Sequence, residues 1–394
     1  MKKLTTIQKI LRIIAICGEV PRSEASWAGE EVTVKATLLR YKGVIQVSGK
    51  TDIKTIRGIL TRKDKNASML ETIMNEIGDG CAEYWNTNYA RGKITSSPTR
   101  VYRNHKMART VIFYDECGIE VEPWSRARLG AGGELLENQF YTTREIRGYT
   151  GDRKSEYSGA QAMGFLVLPT RTFMTYYQTD KPRRNDTTME SRLRFVYEEL
   201  AKASKNAKHI PPICTEALIL SPNSKAAVEI AMTFRSSLPY FASTIRDVWS
   251  LRTSEEGKRL LRIWQTPNWE EWIRNRLWPD NYIQVQNRRD EHARIEIKNS
   301  NGTTSITHAL LWLNGNLAVL RQVVLSAIET PNETFGIVCS KEQKEVVEQF
   351  LDKYADEKSD TQKKPIKVEN IITYEIDLNQ VEQWLGISGE EGKD

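Results

Sequence analysis

The stretch TIQKILRIIAICG at residues 6–18, followed by EVTVKATLLRYKGVIQVSGKTDIKTIRGIL at residues 31–60, decides how this 394-residue chain begins to fold. Ile7, Ile10, Leu11, Ile14 and Ala15 recur at helical spacing and Gly18 ends the run, so a first amphipathic helix is predicted over about residues 5–17. Pro21 and Ser23 mark the start of a second short helix, with Ser23 as its N-cap, and Gly29 closes it. A third helix, Glu31 to Tyr41, carries Val34, Leu38 and Tyr41 on one side and Lys35, Thr37 and Arg40 elsewhere, with Gly43 as the expected C-cap. Residues 44–47, the turn Ser48-Gly49-Lys50, and residues 53–60 read as two strands joined by a basic tip. Three short helices followed by a hairpin make a winged helix, in which the third helix enters the major groove and the wing touches backbone or minor groove.

Charge supports that reading. Residues 1–65 hold 14 Lys/Arg against 6 Asp/Glu, an excess of +8 in a chain whose net charge is +6, so the remainder is slightly acidic. A basic head on a nearly neutral body is the footprint of a polyanion contact at one end. Lys35, Thr37 and Arg40 are the expected base readers, with Lys42 beside them, and Lys50, Lys54 and Arg57 of the wing are expected on phosphates. A solvated basic face or a protein-docking module would carry the same pattern.

With 39% hydrophobic and 27% charged residues, the composition excludes collagen-like, low-complexity and wholly disordered chains. Cys17, Cys81, Cys117, Cys214 and Cys339 are odd in number and widely spaced, which argues against a disulfide framework or zinc ribbon and for a reducing compartment. The N-terminus imitates a lipoprotein signal ending at Cys17, but Lys9 and Arg12 interrupt the apolar run and Ile16 is too bulky for signal cleavage. No stretch reaches the ~20 apolar residues of a membrane span, so a cytoplasmic location is expected.

Three segments carry a family resemblance: the opening winged helix, Tyr102–Arg109 leading a helix that ends Glu116–Ile119, and Phe140–Ile146. Together they resemble replication-relaxation proteins of bacterial plasmids and integrative elements, common in Gram-positive hosts. The resemblance spans about the first half of the chain. It implies binding of element DNA in replication or transfer, by a winged helix followed by a restriction-endonuclease-like α/β region.

The rest of the sequence alternates strands and helices. Residues 66–160 read as a helical and loop-rich connection, with helices over 69–77 and 105–117, and Gly130, Gly132 and Gly133 sit in a loop without a phosphate-binding context. His105, placed at a helix start, is expected to cap or pack rather than bind metal, and His209, His292 and His308 are equally solitary. From residue 161 come a hairpin (165–168 and 172–177), helices near 189–204 and 224–234, and a strand at 217–220. These are followed by a helix at 317–328, a strand at 335–339, a helix at 342–354, a polar linker at 355–365 and a strand at 371–376. Trp249, Trp264, Trp269, Trp272 and Trp278 interleave with arginines and could stack single-stranded bases, but their spacing suits a helical face packed into the core.

One constellation suggests chemistry. Pro279-Asp280, then residues 282–286 and 293–298 ending Glu296-Ile297-Lys298, read as a PD-(D/E)xK hairpin, with Asp280 and Glu296 as Mg²⁺ ligands and Lys298 orienting water. The same alternation describes an ordinary edge strand with isoleucines inward. The sequence thus reads as a mixed α/β protein: a winged helix-turn-helix over 1–65, a connecting region over 66–160, and an α/β domain over 161–394 with a nuclease-like reading. The expected function is double-stranded DNA binding for a mobile element in replication, transfer or transcriptional control, without a cofactor. The alternatives are an Mg²⁺-dependent endonuclease and a scaffolding subunit. A homodimer or element-encoded replication and transfer proteins are the expected partners.

Overall fold

The computed structural model describes residues 4–49, 54–59, 67–89, 97–126, 128–130, 132–150, 160–179, 187–205, 214–233, 245–278, 292–298, 304–362 and 369–387. The chain opens with α1 (Thr6–Cys17). Thr5 and Gln8 form a reciprocal capping box, and Gly18, at φ 89°, closes the helix in the left-handed region that a side chain would resist. Next come β1 (Glu19–Pro21), a 3₁₀ segment (Arg22–Ala28), α2 (Glu31–Arg40), β2 (Ile45–Ser48) and β3 (Thr55–Gly58). The three strands form an antiparallel sheet in the order β1-β3-β2. Three details differ from the sequence reading. The second helix is a 3₁₀ segment that begins at Arg22 after Pro21, and Ser23 lies inside it with its hydroxyl on the Glu24 carboxylate rather than on a helix N–H, so Ser23 is not its N-cap. β1 was not foreseen, and α2 is capped by Tyr41 rather than Gly43, because the Tyr41 amide already turns back to the Thr37 and Leu39 carbonyls.

Three helices follow: α3 (Ala67–Glu76), α4 (Asp79–Tyr89) and α5 (Pro98–Glu116). Pro98 sits in the first turn of α5, where its missing N–H costs nothing, so the helix starts well before His105. His105 is therefore a mid-helix residue, 7% exposed, rather than a helix-start cap. α5 packs against both α1 and β1.

A five-stranded sheet forms the middle of the molecule, built from β4 (Gln139–Thr142), β5 (Gly164–Val167), β6 (Thr172–Tyr177), β7 (Glu216–Ser221) and β8 (Asp247–Arg252) in sequential order. β4, β5 and β6 are antiparallel neighbours, whereas β7 and β8 continue in parallel. Helix α6 (Thr143–Tyr149) follows β4, and α7 (Thr187–Ala203) and α8 (Lys225–Thr233) make the parallel crossovers. The strand period of two divides the side chains between two cores. Phe140, Leu166, Phe173, Leu218, Leu220, Trp249 and Leu251 join the core that holds α1 and α5. Tyr141, Phe165, Met174, Tyr176, Ile219 and Val248 join the core that holds α7 and α8.

After α9 (Glu255–Trp264) and α10 (Trp269–Leu277), the chain builds a second sheet from β9 (His292–Lys298), β10 (Thr304–Leu311), β11 (Thr334–Cys339) and β12 (Ile371–Glu375), in the order β12-β11-β10-β9. Its helices are α11 (Leu317–Glu329), α12 (Lys341–Gln362) and α13 (Leu378–Trp384). The hairpin partner of β9 is β10, and the expected partner at residues 282–286 lies outside the described residues. The expected polar linker from residue 355 is helical as far as Gln362.

The second sheet follows the same path as the first. In both, an antiparallel hairpin (β5–β6, β9–β10) leads through a helix to a parallel strand, through a second helix to another parallel strand, and into a third helix. The junction after the first parallel strand also matches in sequence: Ser221, Lys225, Val228 and Glu229 have counterparts at the same spacing in Ser340, Lys344, Val347 and Glu348. The fold is mixed α/β, and among the described residues no helix is long and apolar enough to cross a membrane. All five cysteines are buried free thiols.

Candidate nucleic-acid interface

α2 is held by a narrow inward edge. Val34 is fully buried, while Leu38 and Tyr41 are half-buried against the core that contains α1. The Tyr41 hydroxyl donates to the Glu76 carboxylate at the end of α3, which ties the helix exit to the neighbouring unit and raises the tyrosine pKa. The remainder of α2 faces water, including Lys35, Arg40 and, just beyond it, Lys42. Thr37 is half-buried and lies nearer the inward edge than Lys35 or Arg40.

The charges on this face are already partly used. Lys35 pairs with Glu31 one turn earlier at 2.8 Å, and that hydrogen bond holds the Glu31 carboxyl below the usual range. The Arg40 guanidinium stands 5.7 Å from the Tyr41 ring centroid. Elsewhere in the basic head, Arg12 is mostly buried beside Asp115 and Glu122, and Lys9 donates to the Trp27 carbonyl at 3.3 Å and lies over its ring. Part of the +8 excess therefore serves internal packing, and the outward cations on described residues are concentrated on α2, its exit and the strands beyond.

The β1-β3-β2 sheet is anchored at its root. Glu19 on β1 is completely buried, and it accepts hydrogen bonds from Thr55 Oγ1 on β3 and Asn104 Nδ2 on α5, both at 3.0 Å. These two donors satisfy a carboxylate that would otherwise be costly to bury. The neighbouring His105 Nε2 has no hydrogen-bond partner among the described residues, and burial holds its imidazole below the usual histidine range. Lys54, just before β3, is exposed and Arg57 on β3 is half-buried, while Lys50 lies outside the described residues.

The expected nuclease residues are not brought together among the described residues. Asp280 lies outside them, and for Glu296 and Lys298 the pairing alone is described, with Ile306 and Thr304 opposite on β10. Among the described residues no group of three or more His, Cys, Asp or Glu could hold a metal ion. The tryptophan cluster divides: Trp249, Trp264 and Trp269 are buried and Trp272 is exposed, so the first three are core and unavailable for base stacking.

Comparison with protein-family models, curated proteins and solved structures finds no match to this chain. Two further features stand out by chemistry. A cavity of about 330 Å³ at the β5–β6 turn is lined by Arg171, Glu216, Glu270 and Arg274, and burial pushes the Glu216 carboxyl up to about 7 although Arg171 binds it at 2.8 Å. Arg126 and Glu145 form a fully buried ion pair at 2.7 Å that clamps the loop before β4 to α6.

Sequence reasoning missed the outermost residues of α2. Val32, Ala36 and Leu39 form a second apolar row on the side away from Val34 and Leu38, and all three are exposed. The signal was present as a second helical period in the same ten residues.

Proposed function

We propose that this protein binds double-stranded DNA, with α2 in the major groove and the β2–β3 hairpin on the adjacent backbone. The observation that supports this best is the order α1, β1, 3₁₀ segment, α2, β2, β3 around an antiparallel sheet, with α2 held by one edge and otherwise open. That order is the one expected of a winged helix-turn-helix, whose third helical segment reads base edges. Arg40 and Lys35 border the reading face, and Lys42, Lys50, Lys54 and Arg57 supply phosphate contacts. The biological setting proposed is replication, transfer or transcriptional control of a bacterial mobile element, as the replication-relaxation resemblance implies. The endonuclease reading rests on sequence alone and is not advanced.

The test is fluorescence anisotropy of the full chain on a pool of random duplexes. Four phosphate contacts give a loss of about 100-fold in affinity between 50 and 200 mM salt. Replacing Lys42 and Lys54 together by Ala is expected to weaken binding to all duplexes and to flatten that salt dependence. No binding at 50 mM salt, or binding untouched by the double variant, would overturn the proposal.

A further inference from the structure

The exposed row on α2 is more specific than a basic surface requires. Val32 is 77% exposed and Leu39 70%, and with Ala36 they stand at i, i+4 and i+7 along the outermost line of the helix. Glu31 and Lys35 border the row on one side, Thr33 and Arg40 on the other. A stable protein interface buries about 800 Å² per partner, far more than three aliphatic side chains on a convex helix supply. A helix of about 10–12 Å diameter does fit the roughly 12 Å major groove, and there the apolar group that base edges display is the thymine 5-methyl. Val32 to Leu39 spans about 10 Å along the helix axis, or about three base-pair steps of 3.4 Å.

The geometry points to α2 as a reader of thymine methyl groups: Val32, Ala36 and Leu39 seat against methyls on about three successive A·T or T·A pairs, while Lys35 and Arg40 flank the row. This inference rests on the DNA-binding reading above and adds the class of duplex that the interface selects. Glu31 and Lys35 neutralise each other beside the row, and the charge that remains, Arg40 with Lys42 at the helix exit, favours a polyanion as its occupant over an uncharged apolar surface.

The test starts by selecting duplexes from a random library with the full chain, then resynthesising the preferred duplex with deoxyuridine in place of thymidine, which removes the methyls and leaves base pairing and charge unchanged. Affinity is expected to fall about fourfold per contacted methyl, and more than tenfold when two are lost. Leu39→Gln, a change at an exposed helix position, should weaken binding to the thymidine duplex and cost nothing further on the deoxyuridine duplex. Equal binding of the two duplexes would overturn this inference and leave DNA binding standing, whereas failure to enrich any duplex would overturn the proposed function itself. A change of oligomeric state in Leu39→Gln, with DNA affinity unaltered, would assign the row to a protein partner and also overturn the inference.

Discussion

The five-stranded and four-stranded sheets take one path through the chain, yet β8 buries Val248, Trp249 and Leu251 while its counterpart β12 leaves Ile372 and Tyr374 in solvent. The sequences record that difference directly. On β8, Val248 enters the core that holds α7 and α8 while Trp249 and Leu251 enter the core that holds α1 and α5, because helices cover both faces of the central sheet. Residues 371–375 of β12 read Ile-Ile-Thr-Tyr-Glu, because α11 and α12 cover one side of the second sheet and the other side is open at this strand. Path and burial are thus separate properties, and burial is the one that writes the hydrophobic pattern. A further contrast lies in one register position: Phe173 opposes Glu216 in the central sheet, and His308 opposes Phe335 in the second.

The contrast predicts a graded response to mutation. Trp249 on β8 is 1% exposed and meets Phe173 and Trp264 edge-on at 5.0 and 5.1 Å, so Trp249→Ala is expected to cost about 3–5 kcal/mol in urea unfolding. A loss below about 1 kcal/mol would mean the central sheet is not the stiffer of the two. The Glu216 position gives a medium effect with a pH signature. Its folded pKa of about 7 lies above the value near 4.5 of an unfolded chain, so its contribution is present in full below pH 4.5 and is lost as the pH rises through 7. Wild type should therefore gain on the order of 2 kcal/mol relative to Glu216→Gln between pH 8 and pH 5, read from urea midpoints at the two values. A parallel pH dependence of the two proteins would show that Glu216 is not titrating in the folded state. The smallest effect belongs to the second sheet: Tyr374→Thr on the open side of β12 should change stability by no more than about 0.5 kcal/mol.

What the sequence disclosed follows the same division. α1 was readable from its helical period, and the strands at 164–167, 172–177 and 216–221 from short runs of apolar and aromatic residues that burial on both faces demands. β1 was hidden because its three residues include a proline and the charged Glu19, whose burial depends on Thr55 and Asn104 from elsewhere in the chain. The tail of α12 looked like a linker because its last residues, Asp356 to Gln362, are polar, and helix propensity without an apolar face leaves no periodic signal. β10 was overlooked as the partner of β9 because a nearer segment offered a plausible hairpin. On α2 the inward row and the basic residues were legible, whereas the outward apolar row was not separated from them until exposure distinguished Val32 and Leu39 from Val34 and Leu38.

α5 belongs to two structures at once. One flank packs on α1 and on β1, while Tyr114 reaches the central sheet and shares a 2.9 Å hydrogen bond with Thr175 on β6. The first residues of the chain therefore share one core with α5 and the central sheet. Ile10, Leu11 and Ile14 are completely buried in a core that also holds Val111, Phe173 and Trp249. A transplant of the first 60 residues onto another protein would carry α2 but leave its foundation behind, so a graft that keeps its fold has to include α5 together with an apolar surface for its second flank.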